Sequence, residues 1–226
     1  MFLSRRKILN YINCTGIAAI SSPIFGAINT SGNTHHLNYF KFSIGKMKIT
    51  VVSDGGFQLP VSSIDINSTE ESLKKHLRKY HMPDDHIYMN TNLAVIEVEE
   101  NKLIIDVGSG SRFIGSTGKL FDNLSKANID PESITHVFLT HAHPDHILGI
   151  RDDFDETIFP DAKFIISEKE YNWWTKKNRV NEVDETFIQM VLWAQNSLNA
   201  IPEISLFEND QSILPGITAF DTSGHS

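Results

Sequence analysis

Apolar and polar positions follow two periods along this chain, and the switches between them mark out its elements. Met47 to Val52, Thr91 to Val98 and Leu103 to Asp106 are β-branched or alternating and read as strands, the last two joined as a hairpin across Glu99-Glu100-Asn101-Lys102. Asp54-Gly55-Gly56 reads as a turn, which places the first strand at a sheet edge. Behind a capping box at Ser68-Thr69-Glu70-Glu71 the period lengthens, and Leu73, Leu77 and Tyr80 share one helical face. A second helix is expected from about Thr117 to Ala127, with Leu120, Leu124 and Ala127 inward. Asp130-Pro131-Glu132 caps a brief turn before a buried strand over Ile134 to Thr140. Ala162 to Ile166 is another strand. Ser167-Glu168-Lys169-Glu170 is a second capping box, opening a helix with Tyr171, Trp173 and Trp174. Glu182 to Asn199 follows as a long amphipathic helix, and Ile204–Phe207 and Ile217–Phe220 are short strands. Periodicity alone gives mixed α and β. Hairpin strands followed by helix–strand alternation suit a two-sheet sandwich with helices outside.

Composition narrows the class. With 226 residues, 40% hydrophobic and 21% charged, the chain suits one globular domain with a sizeable core. A net charge of −8 argues against nucleic acid as a partner, because phosphate binding needs a basic patch. The single cysteine, Cys14, rules out an intrachain disulfide and a cysteine-rich zinc cluster. Residues 1–27 read as an address. Ser4-Arg5-Arg6-Lys7-Ile8-Leu9 resembles a twin-arginine export signal, followed by a modestly apolar segment interrupted by Asn10, Asn13 and Gly16. The expectation is an exported protein, periplasmic or secreted, with no stable membrane span once the signal is removed. Residues 28–46, polar as far as Asn38, read as a linker, and 47–226 as the domain.

The densest chemistry lies in His141-Ala142-His143-Pro144-Asp145-His146, three imidazoles and a carboxylate within six residues. Fold stability does not call for such a run. Imidazole nitrogen and carboxylate oxygen are ligands that zinc favours, and iron, manganese and cobalt accept the same set. The ligands begin where a buried strand ends. Pro144 suits the first position of a helix expected over Pro144–Ile147, and such a turn aims His141 and His143 at one metal and Asp145 and His146 at a second. His76, His81 and His86 lack ligand spacing and read as ordinary surface or loop histidines.

After an apolar strand, this His-x-His-x-Asp-His pattern resembles the signature of the metallo-β-lactamase-fold hydrolases. Leu103-Ile104-Ile105-Asp106-Val107-Gly108 and Thr222-Ser223-Gly224-His225 resemble two further stretches of that family. Val52 to Pro60 and Phe159 to Trp174 resemble its methyl parathion hydrolase-like branch, akin to the quorum-quenching lactonases. The resemblance implies an α+β fold, the αββα four-layer sandwich. It implies that His141, His143 and His225 hold a first metal, and that Asp145 and His146 help hold a second. Asp145 is then also the candidate catalytic residue, orienting a hydroxide nucleophile or carrying its proton away. Asp106 is expected either to orient the ligands without touching metal or simply to form a turn. Phe113 and Trp174 align with pocket-lining positions, although aromatics at helical spacing are more often core.

Relative to the resembled family, the chain stops early, one residue after His225. The resemblance therefore implies a C-terminally incomplete sandwich, without a bridging aspartate and a further histidine, and with an exposed sheet edge and apolar face. Such a face favours aggregation or pairing, for instance as a homodimer. Three functions stay open. One is a metal-dependent hydrolase using one or two Zn2+ ions on a small ester-like substrate such as a lactone, aryl ester or organophosphate triester. The second is a catalytically silent remnant binding at most one metal, and the third a thioester hydrolase of the glyoxalase type.

Overall fold

The structure is a computed structural model and describes residues 38–64, 69–208 and 210–225. The export signal expected over 1–27, Cys14 and the linker as far as residue 37 lie outside the described residues. Seven strands form one sheet in sequential order: β1 (Tyr39–Ile44), β2 (Met47–Pro60), β3 (His86–Val98), β4 (Asn101–Ile105), β5 (His136–Leu139), β6 (Lys163–Ser167) and β7 (Ile204–Phe207). The first four pair antiparallel, and β4 through β7 run parallel. Tight turns explain the antiparallel half. Gly45, at φ 58, begins the two-residue turn between Ile44 and Met47, and Glu99, at φ 52, begins the one between Val98 and Asn101. Parallel pairing needs crossovers, and the later connections include helices α2 (Leu120–Lys126), α3 (Pro144–Ile147), α4 (Glu168–Thr175) and α5 (Glu185–Leu198). Helix α1 (Glu70–Lys79) lies between β2 and β3 in sequence.

The main core forms between the helices and one face of the sheet. Val52, Val95, Ile104, Val137, Leu139 and Ile166 meet Leu124, Ile147, Val191, Ala194 and Leu198, all fully buried or nearly so. On the opposite face a hairpin, β8 (Gln211–Leu214) and β9 (Ile217–Ala219), sets Leu214, Ile213 and Ile217 against Val98, Leu103, Ile105, Phe138 and Met47. Two sheets thus stack face to face, in the mixed α and β arrangement expected. Register puts Phe40, Phe42 and Ile44 opposite Val51, Ile49 and Met47, hence on the hairpin's side of the sheet, where they are exposed. Among the described residues no helix is long and apolar enough to cross a membrane.

Several expectations are corrected. The linker expected over 28–46 contains strand β1, whose apolar–polar alternation from Phe40 to Ile44 pairs along β2. Strand β1, and not Met47–Val52, is therefore the sheet edge. The chain does not turn at Asp54-Gly55-Gly56. Strand β2 passes through it with a bulge between Ser53 and Gly55, and glycine is required because a Cβ at Gly55 would lie 2.3 Å from the Ser116 carbonyl oxygen. Helix α1 is capped by Thr69, whose Oγ1 accepts from the Ser72 N–H, one residue later than expected. Ser167 makes no side-chain cap on α4, and Glu170 Oε1 accepts instead from the Ala142 N–H. Helix α2 starts at Leu120 because the buried Asp54 carboxylate accepts from the Gly118 and Leu120 N–H groups, as well as from Ser109. Strand β8 had no clear pattern in the sequence.

Candidate metal centre

Strand β4 ends at Ile105, and the next residue, Asp106, turns into the left-handed region at φ 61. From there its carboxylate reaches the parallel neighbour. Oδ1 accepts from the Thr140 N–H at 2.8 Å, and Oδ2 accepts from the Thr140 hydroxyl and from His146 Nδ1, each at 2.8 Å. The Thr140 oxygen also lies 3.0 Å from His141 Nδ1. A hydroxyl has one proton, so Thr140 gives it to the carboxylate and accepts from His141. Two imidazoles thereby turn their Nδ1 towards one carboxylate–hydroxyl pair, and the Nε2 of each faces the other way, as metal ligation requires.

Helix α3 follows from sequence chemistry. Pro144 fixes its first position, and the His146 and Ile147 N–H groups donate back to the His143 carbonyl. His141 Nε2 lies 3.1 Å from His143 Nδ1. The His225 ring stands against both, at 4.9 Å between centroids in each case. One ring nitrogen from each of His141, His143 and His225 falls within 4.8 Å of the others. Three imidazoles so grouped, each bonding at about 2.0–2.1 Å, surround a single zinc-sized ion. Electrostatics favours the same fit. Burial, then the neighbouring imidazoles, His146 first, pull His141 down to about 3, and burial likewise lowers His143. Both rings are therefore neutral and available as ligands at physiological pH.

The second pair lies alongside. His146 Nε2 is 3.4 Å from Asp145 Oδ2, and the His146 ring is 4.0 Å from that of His141. Burial opposes charge on His146, but its hydrogen bonds to Asp106 and Asp145 outweigh burial and push it up to about 10. Burial also works against the Asp145 carboxylate, yet the His146 contact holds it below its ordinary range. A dication at this place would substitute for the imidazolium proton, so the donor set fits a second ion chemically.

Of the two aromatic candidates, Trp174 is 2% exposed and part of the main core, but its ring meets His143 edge-on at 5.7 Å. Phe113, half-buried, packs on Phe57 and Trp193. His76 is exposed beside Tyr80, His81 is exposed at φ 55, and His86 pairs with Asp85. Glu170, Thr140 and Lys169 around the site carried no sequence signal beyond helix and strand pattern. Their roles come from chain crossings that periodicity does not reveal.

Convergent histidines at the end of a parallel strand, next to a buried His–Asp pair, define a divalent metal centre. The chain belongs to the metallo-beta-lactamase superfamily, whose profile matches residues 88–213. Solved structures agree on the fold. The chain is similar to AidC, a dizinc quorum-quenching lactonase solved with a product, N-hexanoyl-L-homoserine, at 27% identity and TM-score 0.71; the match covers 79% of this chain and 64% of that one. It is similar to the hydrolase AbOPH of the beta lactamase superfamily at 21% identity and TM-score 0.69, covering 78% and 62%. A probable metal-dependent hydrolase from Staphylococcus aureus aligns at 22% identity and TM-score 0.66, covering 82% and 67%. The chain thus spans just under two thirds of the length of AidC and AbOPH. No curated protein matches it.

Proposed function

We propose that this chain is a metal-dependent hydrolase of small ester-like substrates, with a lactone first and an aryl ester or organophosphate triester next. The observation that carries this reading is the convergent triad His141, His143 and His225 beside the oriented His146–Asp145 pair. His141, His143 and His225 would hold one divalent ion, zinc by preference, and His146 with Asp145 would help hold a second. When bound, such ions lower the pKa of water towards 7 and polarise a carbonyl or phosphoryl oxygen.

The remaining work falls to the protein. Asp106, through Thr140 and directly, keeps the Nδ1 protons of His141 and His146 turned away from the site. Asp145, ionised because its carboxyl is held low, would take up the proton that the attacking water releases and hand it to the leaving oxygen. No serine or cysteine nucleophile is needed. Kinship with AidC supports the lactone, and an exported location remains part of the proposal on the strength of Arg5-Arg6.

The test is to express residues 1–226, load the chain with Zn2+, and measure bound metal by elemental analysis and turnover of N-hexanoyl homoserine lactone, 4-nitrophenyl acetate and an organophosphate triester. One to two ions per chain with lactone turnover abolished by chelation is expected. Bound metal without turnover of any substrate would leave a silent metal-binding chain instead.

A further inference from the structure

We propose that Glu170 is a positioning residue for the first metal: its carboxylate fixes the His141–Ala142 peptide in the loop between the two ligands and so sets the angle at which their rings enter the site. This inference rests on the metal-centre reading above. Glu170 Oε1 accepts from the Ala142 N–H at 2.9 Å and from Trp174 Nε1–H at 2.6 Å. Ala142 is fully buried, so the loop has no room to swing away from that acceptor. A peptide plane held at its N–H has its rotation fixed; this is the His141–Ala142 plane, which sets the His141 Cα directly and the His143 Cα through the one buried residue between them.

The carboxylate is itself held in place. Glu170 and Trp174 are four residues apart on α4 and share a face. Trp174 is anchored in the main core, while its ring edge packs against His143. One helix thus grips the ligand loop twice, through an oxygen at the backbone and through a ring at the imidazole. Its preceding residue, Lys169, pairs with Asp221 at 2.7 Å, four residues before His225. Helix α4 therefore contacts both segments that supply the three imidazoles.

The experiment compares wild type, Glu170→Ala, Glu170→Gln and Trp174→Phe in the full chain. Co2+ affinity and the visible ligand-field spectrum of the Co2+ form are measured alongside the thermal midpoint of each metal-free protein. Second-layer partners of metal ligands are worth about 10–100-fold in affinity. Glu170→Ala should bind Co2+ at least about 10-fold more weakly, with an altered spectrum. Glu170→Gln, which keeps an acceptor oxygen, should recover most of the affinity and the wild-type spectrum. Wild-type affinity and spectrum in Glu170→Ala would overturn the proposal. So would a Gln variant as impaired as the Ala variant, since position and not packing or charge is claimed. Should Glu170→Ala fail to fold, Trp174→Phe decides: it removes the indole N–H that holds the Glu170 carboxylate while keeping an aromatic ring towards His143, a several-fold loss is expected, and unchanged binding overturns the proposal. A wild type that takes up no Co2+ would overturn the metal-centre reading itself, a result distinct from any difference among variants.

Discussion

The two segments that supply the imidazoles are held very differently. The loop carrying His141 and His143 leaves a buried parallel strand and is fixed at successive peptides: Thr140 N–H to Asp106, Ala142 N–H to Glu170, and the His146 carbonyl by the Val107 N–H. Residues 221–225 are all exposed, and their hold is polar and at the surface, through Lys169–Asp221, Ser223 N–H to Asp221, and Asp221 N–H to Asp210. Buried bonds to a charged acceptor each contribute about 1.5–3 kcal/mol, whereas exposed ion pairs contribute little. The loop is thus preformed by the fold. On the proposed reading the His225 segment would rely on the ion it helps to bind, and metal affinity would partly measure the ordering of that segment.

The largest effect should follow from attacking the preformed side. Asp106→Ala leaves the Thr140 N–H and the His146 Nδ1–H without their acceptor and puts alanine at φ 61, a conformation it tolerates poorly. A loss of about 3 kcal/mol is expected in denaturant unfolding of the metal-free chain. Asp106→Asn is the more informative variant. Its amide oxygen still serves the Thr140 N–H, but an NH2 now faces His146 Nδ1, and the ring must move its proton to Nε2. Binding of a second ion should then fall by at least about 10-fold while the first is retained. Stoichiometry by elemental analysis checks this, and two tightly held ions in Asp106→Asn would refute the orienting role.

How far this contrast could be read in advance depends on the distance over which each contact acts. The six-residue cluster was legible because its ligands are adjacent in sequence, and Pro144 announces the short helix that spreads them. His225 was reached only through resemblance, since 79 residues separate it from His146 and no local pattern links them. Hairpins and parallel strands were legible in their alternation, although β8 was not, being four residues long with Gln211 and Ser212 exposed. Glu170 misled for a physical reason. An acidic residue three positions after a serine satisfies the capping pattern, but Ser167 makes no side-chain cap, and Glu170 Oε1 serves Ala142 and Trp174. Asp54 was taken for a turn former because Gly55 and Gly56 follow it. In the fold Gly55 admits the Ser116–Thr117 backbone, Gly56 lies close against Met89 and Tyr88, and the Asp54 carboxylate caps helix α2.

An intermediate effect comes from the metal itself. Amide hydrogen exchange of the zinc-loaded and chelated chains should separate the two segments. The Thr140, Ala142 and Val107 amides should stay protected in both states, because their acceptors belong to the protein. Amides of residues 221–225 should exchange freely after chelation and slow by about 10-fold or more when zinc returns. Equal slowing in both segments would mean that the loop, too, is organised by the ion, and the contrast would be lost.

The smallest effect isolates the surface tether. Lys169 and Asp221 are both exposed, and the pair draws the Asp221 carboxyl well below its usual range, chiefly through the lysine contact. Lys169→Ala frees the approach to His225 without touching any ligand. Because an exposed pair is screened by salt within about 10 Å at 0.1 M ionic strength, zinc affinity should fall only about 2- to 3-fold at low salt, and the difference should vanish at 1 M NaCl. The Glu170→Ala defect, acting through a buried peptide, should persist at both salt concentrations. Titrating the two variants side by side therefore distinguishes a tether from a brace: if salt erased both defects, or neither, the two sides of the site would be held in the same way after all.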